Sequence, residues 1–403
     1  MNRKPFYVIS GVGLAHIAFS SAQFAFPLLI LSITSSSIYV TNLNTINFLP
    51  AILFGVVVGA IVDRFDQRKL MYSTYVLQGA ALYLVALILW LFGNDKSIAF
   101  IFLGYLLYIF ANYGALCTFN GVIKSFGSGD SIVKINSKLS FLKSAVAILA
   151  PISTGYFMDI LNEKYLFIAL GTLYFVAASI SRNYPYIEQE KVKHQTKLGN
   201  KIIEGFKYLY GNKNLLSLGI IVCLMNTTVA IATPLLTYHT KINFGFSSAK
   251  IGLLFSFGTC GALLGSYLAG RIRVSMDYIS ELLITTNLLQ GVCYGGIAIA
   301  VSFHSLIFWL VLLELITVIQ SIFVWSYRQA ETDKAYIGRV SGILGSLFKL
   351  CIPISLFISG KLEQLANVKY VLIVAMLVNL FISLMIPLFP GFRLRIFRKF
   401  KNS

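Results

Sequence analysis

Four ionisable side chains lie inside long apolar stretches of this sequence, where a charge is costly. They are His16, Lys143, Glu314 and Lys349. An isolated charge at the centre of a bilayer costs about 2.5–3.5 kcal/mol on insertion scales, so such residues are rare and mark candidate functional sites. The chemistry that these residue types offer at that depth is proton transfer by the carboxyl or imidazole group and attraction of an anion by the two lysines.

Glu314 is the first candidate for proton coupling. It lies about ten residues into its apolar stretch, deep enough for the carboxyl group to be neutral near physiological pH. Two alternatives remain open: a standing ion pair with Lys349 that keeps the carboxylate ionised, or a shallow position at the lipid edge. His16 is the second candidate, with simple helix packing as its alternative.

Five polar side chains are candidates for lining a substrate cavity, namely Lys143, Lys349, Gln23, Asn226 and Gln320. If both lysines face one cavity together with Glu314, that cavity carries a small positive excess and favours an anionic small molecule. Hydrogen bonds between helices are the alternative explanation for each amide.

Composition defines the elements that must position these residues. With 57% hydrophobic and 12% charged residues, the chain of 403 residues is too apolar for a soluble protein. Apolar stretches of about 20 residues, each able to cross a bilayer, follow one another along its length. We predict an all-α membrane protein with twelve transmembrane helices, at 6–31, 38–62, 69–92, 98–120, 138–160, 165–181, 214–240, 249–271, 279–301, 304–326, 338–361 and 368–389.

The net charge of +18 reflects topology rather than nucleic-acid binding. With the N-terminus in the cytoplasm, 25 of the 33 Lys and Arg residues fall in inner loops and tails. That bias is the positive-inside rule, and it predicts that both termini are cytoplasmic. The partners that we expect are therefore the lipid bilayer and a small-molecule substrate, with no nucleic acid.

The chain contains an internal repeat at an offset of roughly 205 residues. Residues 25–29 recur as 232–236, Gly55 and Gly59 recur as Gly261 and Gly265, and the Pro-Ile-Ser of 151–153 recurs at 353–355. Such repeats predict two pseudo-symmetric six-helix bundles, at 1–181 and 214–403, joined by a linker at 182–213. Pro27, Pro151, Pro234 and Pro353 are predicted helix bends that shape a cavity, with passive kinks as the alternative.

The linker predicts a basic amphipathic helix. Ile202, Ile203, Phe206, Leu209 and Tyr210 share one helical face, and lysines surround them. Such a helix lies along the inner surface of the membrane. A flexible linker is the alternative.

The segment from Gly55 to Lys69 carries the most specific motif. Two glycines four residues apart allow close helix packing, and Asp63 with Arg64, Arg68 and Lys69 follow where the helix reaches water. This segment resembles the signature loop of the major facilitator superfamily. The resemblance implies the facilitator fold, with a conformational latch formed by Gly59, Asp63, Arg64, Arg68 and Lys69.

A second match narrows the resemblance to one branch. The segment from Tyr336 to Val340, with Pro353 after it, is similar to the corresponding stretch of macrolide-efflux and enterobactin-exporter-type facilitators, and it adds Gly338 and Arg339 to the latch. This implies proton-coupled export of an amphiphilic siderophore, antibiotic or drug across a bacterial inner membrane by a monomer, with the proton gradient as energy source and no cofactor. Uptake of a nutrient or lysophospholipid on the same fold, and a non-transporting receptor, are the alternatives.

The sequence gives no indication of an enzyme or a metal site. It contains no GxSxG, Walker or HExxH motif, and the four histidines are scattered. The five cysteines, all within predicted spans, are too far apart in sequence for a CxxC pair or a local disulfide.

Overall fold

The computed structural model describes residues 4–50, 65–92, 98–124, 130–184, 198–272, 276–333 and 336–392. Within these ranges, eleven helical spans are long and apolar enough to cross a membrane, and one of them, Gly342–Leu365, includes a turn at 348–351. The α-helices are α1 (Lys4–Thr34), α2 (Ser37–Ile46), α3 (Gln67–Phe92), α4 (Ile98–Lys124), α5 (Asp130–Ile160), α6 (Glu163–Ser181), α7 (Leu198–Gly211), α8 (Lys213–Tyr238), α9 (Ser248–Arg271), α10 (Ile279–Ile299), α11 (Phe303–Glu331), α12 (Ile337–Leu347), α13 (Ile352–Leu365) and α14 (Val368–Met385).

The chain forms two compact units. The first comprises Met1–Val192 together with Thr237–Ser256, and the second comprises Lys193–Leu236 together with Phe257–Ser403. A short π-helix, His239–Asn243, and the first turns of α9 therefore belong to the first unit, although the sequence predicts them in the second bundle.

Each unit repeats one packing pattern. In the first unit α3 packs against α4 and α6, while in the second α10 packs against α11 and α14. These are corresponding helices of the predicted repeat. The first core is rich in fully buried aromatic side chains, which include Tyr105, Tyr108, Tyr174, Phe26 and Phe167.

Glycines on α9 allow its backbone to approach α11 closely. A Cβ atom at Gly261 would overlap the Val311 carbonyl group, and one at Gly265 would overlap the Leu315 carbonyl group. These glycines are the repeat counterparts of Gly55 and Gly59, which lie outside the described residues. The close-packing role predicted for a glycine pair is therefore found in the second unit.

Three of the four predicted proline bends lie inside helices: Pro27 in α1, Pro151 in α5 and Pro234 in α8. Pro353 is an exception, because its predicted span is interrupted by a turn at Phe348–Cys351. Pro353 then lies in the first turn of α13, where the amide hydrogen that proline lacks has no partner within the helix.

The predicted second span is described only in part. α2 ends at Ile46, and residues 51–64 lie outside the described ranges. The total of twelve spans therefore stays a prediction.

Candidate functional site

The first unit brings His16 and Lys143 together. The Lys143 Nζ atom lies 5.2 Å from the centre of the Phe119 ring. The lysine is also close enough to His16 for an electrostatic interaction with the imidazole group. His16 also stacks on Phe19, with ring centres 6.4 Å apart. The reason for this proximity is the close packing of α1 on α5, where a Cβ at Gly13 would lie 3.0 Å from Leu142. The lysine thus lies between the first and fifth predicted spans, beside the aromatic rings of Phe119 and His16.

Gln23 belongs to a hydrogen-bonded cluster rather than standing alone. Its Nε2 atom donates to Asn47 Oδ1 at 3.1 Å, and the Tyr105 hydroxyl lies 2.7 Å from Asn47 Oδ1 and 3.1 Å from Gln23 Oε1. Both ends of the Gln23 amide are therefore occupied within the first unit. This contact pattern favours the helix-packing explanation for Gln23.

The second unit contains a polar strip between α10 and α11. Gln290 Nε2 donates to Thr317 Oγ1 at 3.1 Å and to Gln320 Oε1 at 3.2 Å, and Gln320 Nε2 donates to Thr286 Oγ1 at 2.9 Å. Because the two helices run antiparallel, the earlier residue of α10, Thr286, meets the later residue of α11, Gln320. Gln320 is thus a member of an interhelical network, and Gln290 Oε1 is buried without a hydrogen-bond partner among the described residues.

Glu314 extends this strip by one turn. Its side chain packs against Gly258 of α9, where an added Cβ atom would lie 3.5 Å from Glu314 Cγ. Among the described residues, no cationic group lies within 4.0 Å of the Glu314 carboxylate. The ion pair of Glu314 with Lys349, one of the predicted alternatives, is therefore not formed in this structure.

Lys349 lies in the turn that separates α12 from α13, and its side chain is exposed. Asn226 of α8 supports this interruption by donating from Nδ2 to the Phe348 carbonyl oxygen at 2.7 Å. Non-helical backbone at membrane depth requires such partners or a polar cavity. The role of Asn226 in lining a cavity stays a prediction; in the structure its amide group binds the interrupted backbone.

The predicted latch is described only in part. Gly59, Asp63 and Arg64 lie outside the described residues, while Arg68 and Lys69 begin α3 and Gly338 and Arg339 lie in the first turn of α12. Asp66 accepts a hydrogen bond from the Arg68 amide at 2.9 Å and lies 3.7 Å from its guanidinium group. The latch as a whole therefore stays a prediction.

Asp159 makes a contact with the start of α9 that the sequence did not predict. Its two carboxylate oxygens accept from the Ser248 and Ala249 amides at 2.9 and 2.8 Å, which caps the start of α9. Below this cap, a Cβ at Gly155 would overlap the Ser248 carbonyl, and one at Gly252 would overlap the Pro151 carbonyl. An acidic residue at the end of a predicted span was the available signal, but its partner is about 90 residues away in sequence.

The linker helix α7 is partly anchored to protein. Leu209 is buried, and Tyr208 stacks on Tyr336 with ring centres 4.3 Å apart, while its hydroxyl accepts from the Asp333 amide at 3.0 Å. Ile203, Phe206 and Tyr210 are exposed. The predicted single apolar face is therefore divided between a side packed on the start of α12 and an exposed side.

These features define a multi-pass integral membrane protein with polar and ionisable side chains held between its spans. The Major Facilitator Superfamily profile matches residues 8–356, and the chain belongs to this family. It is accordingly a transporter and not an enzyme.

The solved structures with the same fold are named as transporters of different substrates. The chain is similar to the nucleoside transporter NupG (12% identity, TM-score 0.74, covering 95% of this chain and 98% of that one). It is also similar to a bacterial homologue of the iron transporter ferroportin, with 16% identity and a TM-score of 0.73. A third similar structure is the human organic anion transporter MFSD10, with 14% identity and a TM-score of 0.65. Both matches cover 95% of this chain and 98% of the other. Comparison with curated proteins finds no match. At these identities the likeness establishes the fold alone.

Proposed function

We propose that this protein exports a small amphiphilic anion, of the siderophore or antibiotic class, in exchange for protons by alternating access. The observation that carries the proposal is Glu314, a half-buried carboxyl group on α11 that packs against α9, without an ion-pair partner within 4.0 Å among the described residues. A carboxylate without a fixed cation can take up and release a proton during a transport cycle, whereas a permanently paired one is held ionised.

The neighbours of Glu314 support a route for that proton. Tyr294 lies one helical turn from Gln290 on α10, and Thr317 lies nearly one turn from Glu314 on α11. Hydroxyl and amide groups therefore follow the carboxyl group along the helix interface, where Gln290, Thr317, Gln320 and Thr286 are joined by hydrogen bonds. His16 is the second candidate for coupling, in the first unit.

An anionic cargo is supported by the lysines. Lys143 provides positive charge in the first unit, and Lys349 provides it in the second at an interrupted helix. Interrupted helices commonly form substrate sites in transporters. Gln320, Asn226 and Gln23 position the surrounding helices by the hydrogen bonds described above.

The direction of transport rests on the resemblance of the segments at 59–69 and 336–353 to exporters. In this proposal the latch at Asp63, Arg64, Arg68 and Lys69 lies at the cytoplasmic surface of a bacterial inner membrane and stabilises the outward-open state. The energy comes from the proton gradient, and one chain suffices for transport.

The test is transport by the purified chain in proteoliposomes with an imposed pH gradient. A carboxylate siderophore and a cationic dye serve as probes, with a pH-sensitive fluorophore to follow protons. We expect the anion to be transported in the direction opposite to the protons, and the dye not to be transported. Glu314→Gln should abolish gradient-driven accumulation and leave exchange down a substrate gradient.

The matched control is Glu331→Gln on the same helix, because Glu331 is held by the Asn214 amide at 2.9 Å and has no role in coupling here. Gradient-driven accumulation by Glu314→Gln at the wild-type rate would contradict the coupling proposal. Movement of substrate and protons in the same direction would instead establish the uptake alternative.

A further inference from the structure

Two thiols face each other where α12 gives way to α13. The Sγ atoms of Cys223, on α8, and Cys351, the last residue of the turn, are 3.0 Å apart. Both are free thiols; Cys223 is 5% exposed, while Cys351 is partly exposed. They are 128 positions apart in sequence, so neither belongs to a local motif.

The packing around this pair holds the two sulfur atoms together. On the same face of α8, one turn before Cys223, a Cβ at Gly219 would lie 2.5 Å from Leu347 and 2.9 Å from Leu344. About one turn after it, Asn226 donates to the Phe348 carbonyl at 2.7 Å. The thiols therefore lie between two further contacts of α8 with the interrupted helix, and their proximity does not depend on a mobile loop.

We propose that Cys223 and Cys351 are a reversible disulfide site that fastens α8 to the turn between α12 and α13. A disulfide has a sulfur–sulfur bond of about 2.05 Å, so the two sulfurs must approach by only about 1 Å. The closed form ties the helix interruption that carries Lys349 to its neighbour, and the open form leaves it free to bend.

The oxidant is a small neutral peroxide, which can reach the partly exposed thiol. The Cys351 sulfur attacks one oxygen of hydrogen peroxide, an S–O bond forms, the O–O bond breaks, and water leaves with the thiol proton. The Cys223 sulfur then attacks the Cys351 sulfenic acid, an S–S bond forms, the S–O bond breaks, and a second water leaves. Two thiols lose two electrons, and one peroxide becomes two waters. A soluble dithiol reverses the reaction by exchange.

The remaining cysteines serve as internal comparisons. Cys117 lies on α4, Cys260 is exposed on α9, and Cys293 is fully buried on α10. In a background with Ser at these three positions, hydrogen peroxide should remove both remaining thiols from reaction with N-ethylmaleimide. Mass spectrometry should find a peptide pair joining Cys223 to Cys351, with a mass loss of two hydrogens that dithiothreitol restores.

The single variant Cys223→Ser in this background removes the second step. The reaction should then stop at the Cys351 sulfenic acid, trapped by dimedone, and Cys351→Ser should give no trapped product at Cys223. Full alkylation of both thiols after peroxide treatment that oxidises the exposed Cys260 of the wild-type chain would overturn the proposal. The same test on unmodified protein guards against misfolding of the serine background.

A second arm measures function and rests on the proposed transport activity. Peroxide-treated proteoliposomes should lose most of their transport, recover it with dithiothreitol, and be insensitive to peroxide in Cys351→Ser. Cross-linking that leaves transport unchanged would disprove the fastening role. If no probe is transported in any sample, the proposed function fails while the thiol chemistry is still judged by mass spectrometry.

Discussion

At the scale of single residues, Lys143 and Lys164 make the same contact in different surroundings. Lys143 lies 5.2 Å from the Phe119 ring centre inside a predicted span, while Lys164 lies 5.3 Å from the Tyr165 ring centre at a helix end. If Lys143 binds an anionic cargo, its neutralisation removes a charge-assisted contact of about 1.5–3 kcal/mol. We predict that Lys143→Gln raises the apparent KM for an anionic substrate about tenfold or more.

Lys164→Gln is the control for that change, because it loses a similar ring contact away from the proposed site. Concentration series in proteoliposomes measure both variants. Equal KM values for Lys143→Gln and Lys164→Gln would remove Lys143 from substrate binding.

The sequence was sufficient to find buried charges but not thiol or carboxylate partners. Glu314 and Lys143 stand out because a charge in an apolar stretch is visible in one dimension. Asp159 with Ser248, and Cys223 with Cys351, come together only through helix packing, which sequence spacing does not encode. The ion pair of Glu314 with Lys349 was compatible with the predicted spans, but the Phe348–Cys351 turn was not foreseen.

At the scale of helices, the glycine ridge of α9 determines its distance from α11. Gly261→Ala places a methyl group against the Val311 carbonyl, so the helices must separate. Overpacking of this kind typically costs about 1–3 kcal/mol. We predict a lower unfolding temperature in detergent for Gly261→Ala, measured by thermal unfolding.

Gly270→Ala is the comparison on the same helix, because a Cβ there meets nothing within 4 Å. Its unfolding temperature should stay unchanged or rise slightly, since alanine favours the helix. A loss of stability in Gly270→Ala as large as that in Gly261→Ala would contradict the packing explanation, since both substitutions raise the helix propensity.

The Asp159 cap predicts a local change at the start of α9. Asp159→Ala leaves the Ser248 and Ala249 amides without their acceptor and should cost about 0.5–1 kcal/mol, the lower range for a cap because the residue is exposed. Hydrogen exchange should accelerate at these two amides. Ser302→Ala removes the cap of α11, where Ser302 accepts from Ser305, and should leave exchange at α9 unaffected.

The two sides of α7 predict different consequences. Phe206 is 56% exposed and Leu209 is 3% exposed. Leu209→Ala should therefore reduce stability by about 2–5 kcal/mol, while Phe206→Ser should leave it nearly unchanged. With Tyr210→Trp as reporter, Phe206→Ser should instead lower quenching by brominated lipids if the exposed side enters the bilayer surface. Unchanged quenching would contradict that placement.

The sequence predicted where the helices lie better than it predicted where a helix is interrupted. Apolar length and the repeat predicted spans that eleven described helices match, and the glycine pairing was recovered at α9 and α11. The interruption at Phe348–Cys351 directly precedes Pro353, which was predicted to bend its helix, but a proline alone does not indicate whether a helix bends or breaks. The Asn226 side chain, on another helix, donates to the Phe348 carbonyl oxygen at this interruption.

At the scale of the whole molecule, the division at 182–213 remains a prediction about the linker. The structure adds that Thr237–Ser256 belongs to the first unit, where Ser256 Oγ donates to the Ile148 carbonyl at 2.6 Å and Phe24 packs against Phe255 with ring centres 6.0 Å apart. A sequence repeat cannot reveal this, because it compares each half with the other and not with its spatial neighbours.

A fragment ending at Tyr184 would contain α1–α6 but lack this segment. We predict that the isolated fragment is less stable in detergent than the same fragment co-expressed with residues 198–403, by thermal unfolding. Co-expression with a partner carrying Gly252→Leu should give no protection, because the side chain would overlap the Pro151 carbonyl. Equal stability of all three samples would contradict the prediction.

His239–Asn243 and the first turns of α9 thus complete the packing of the first unit, although the chain connects them to α8 of the second. Splitting the gene between α6 and α7 should therefore yield two pieces that complement each other in a cell, and the first piece should accumulate to a lower level when expressed by itself.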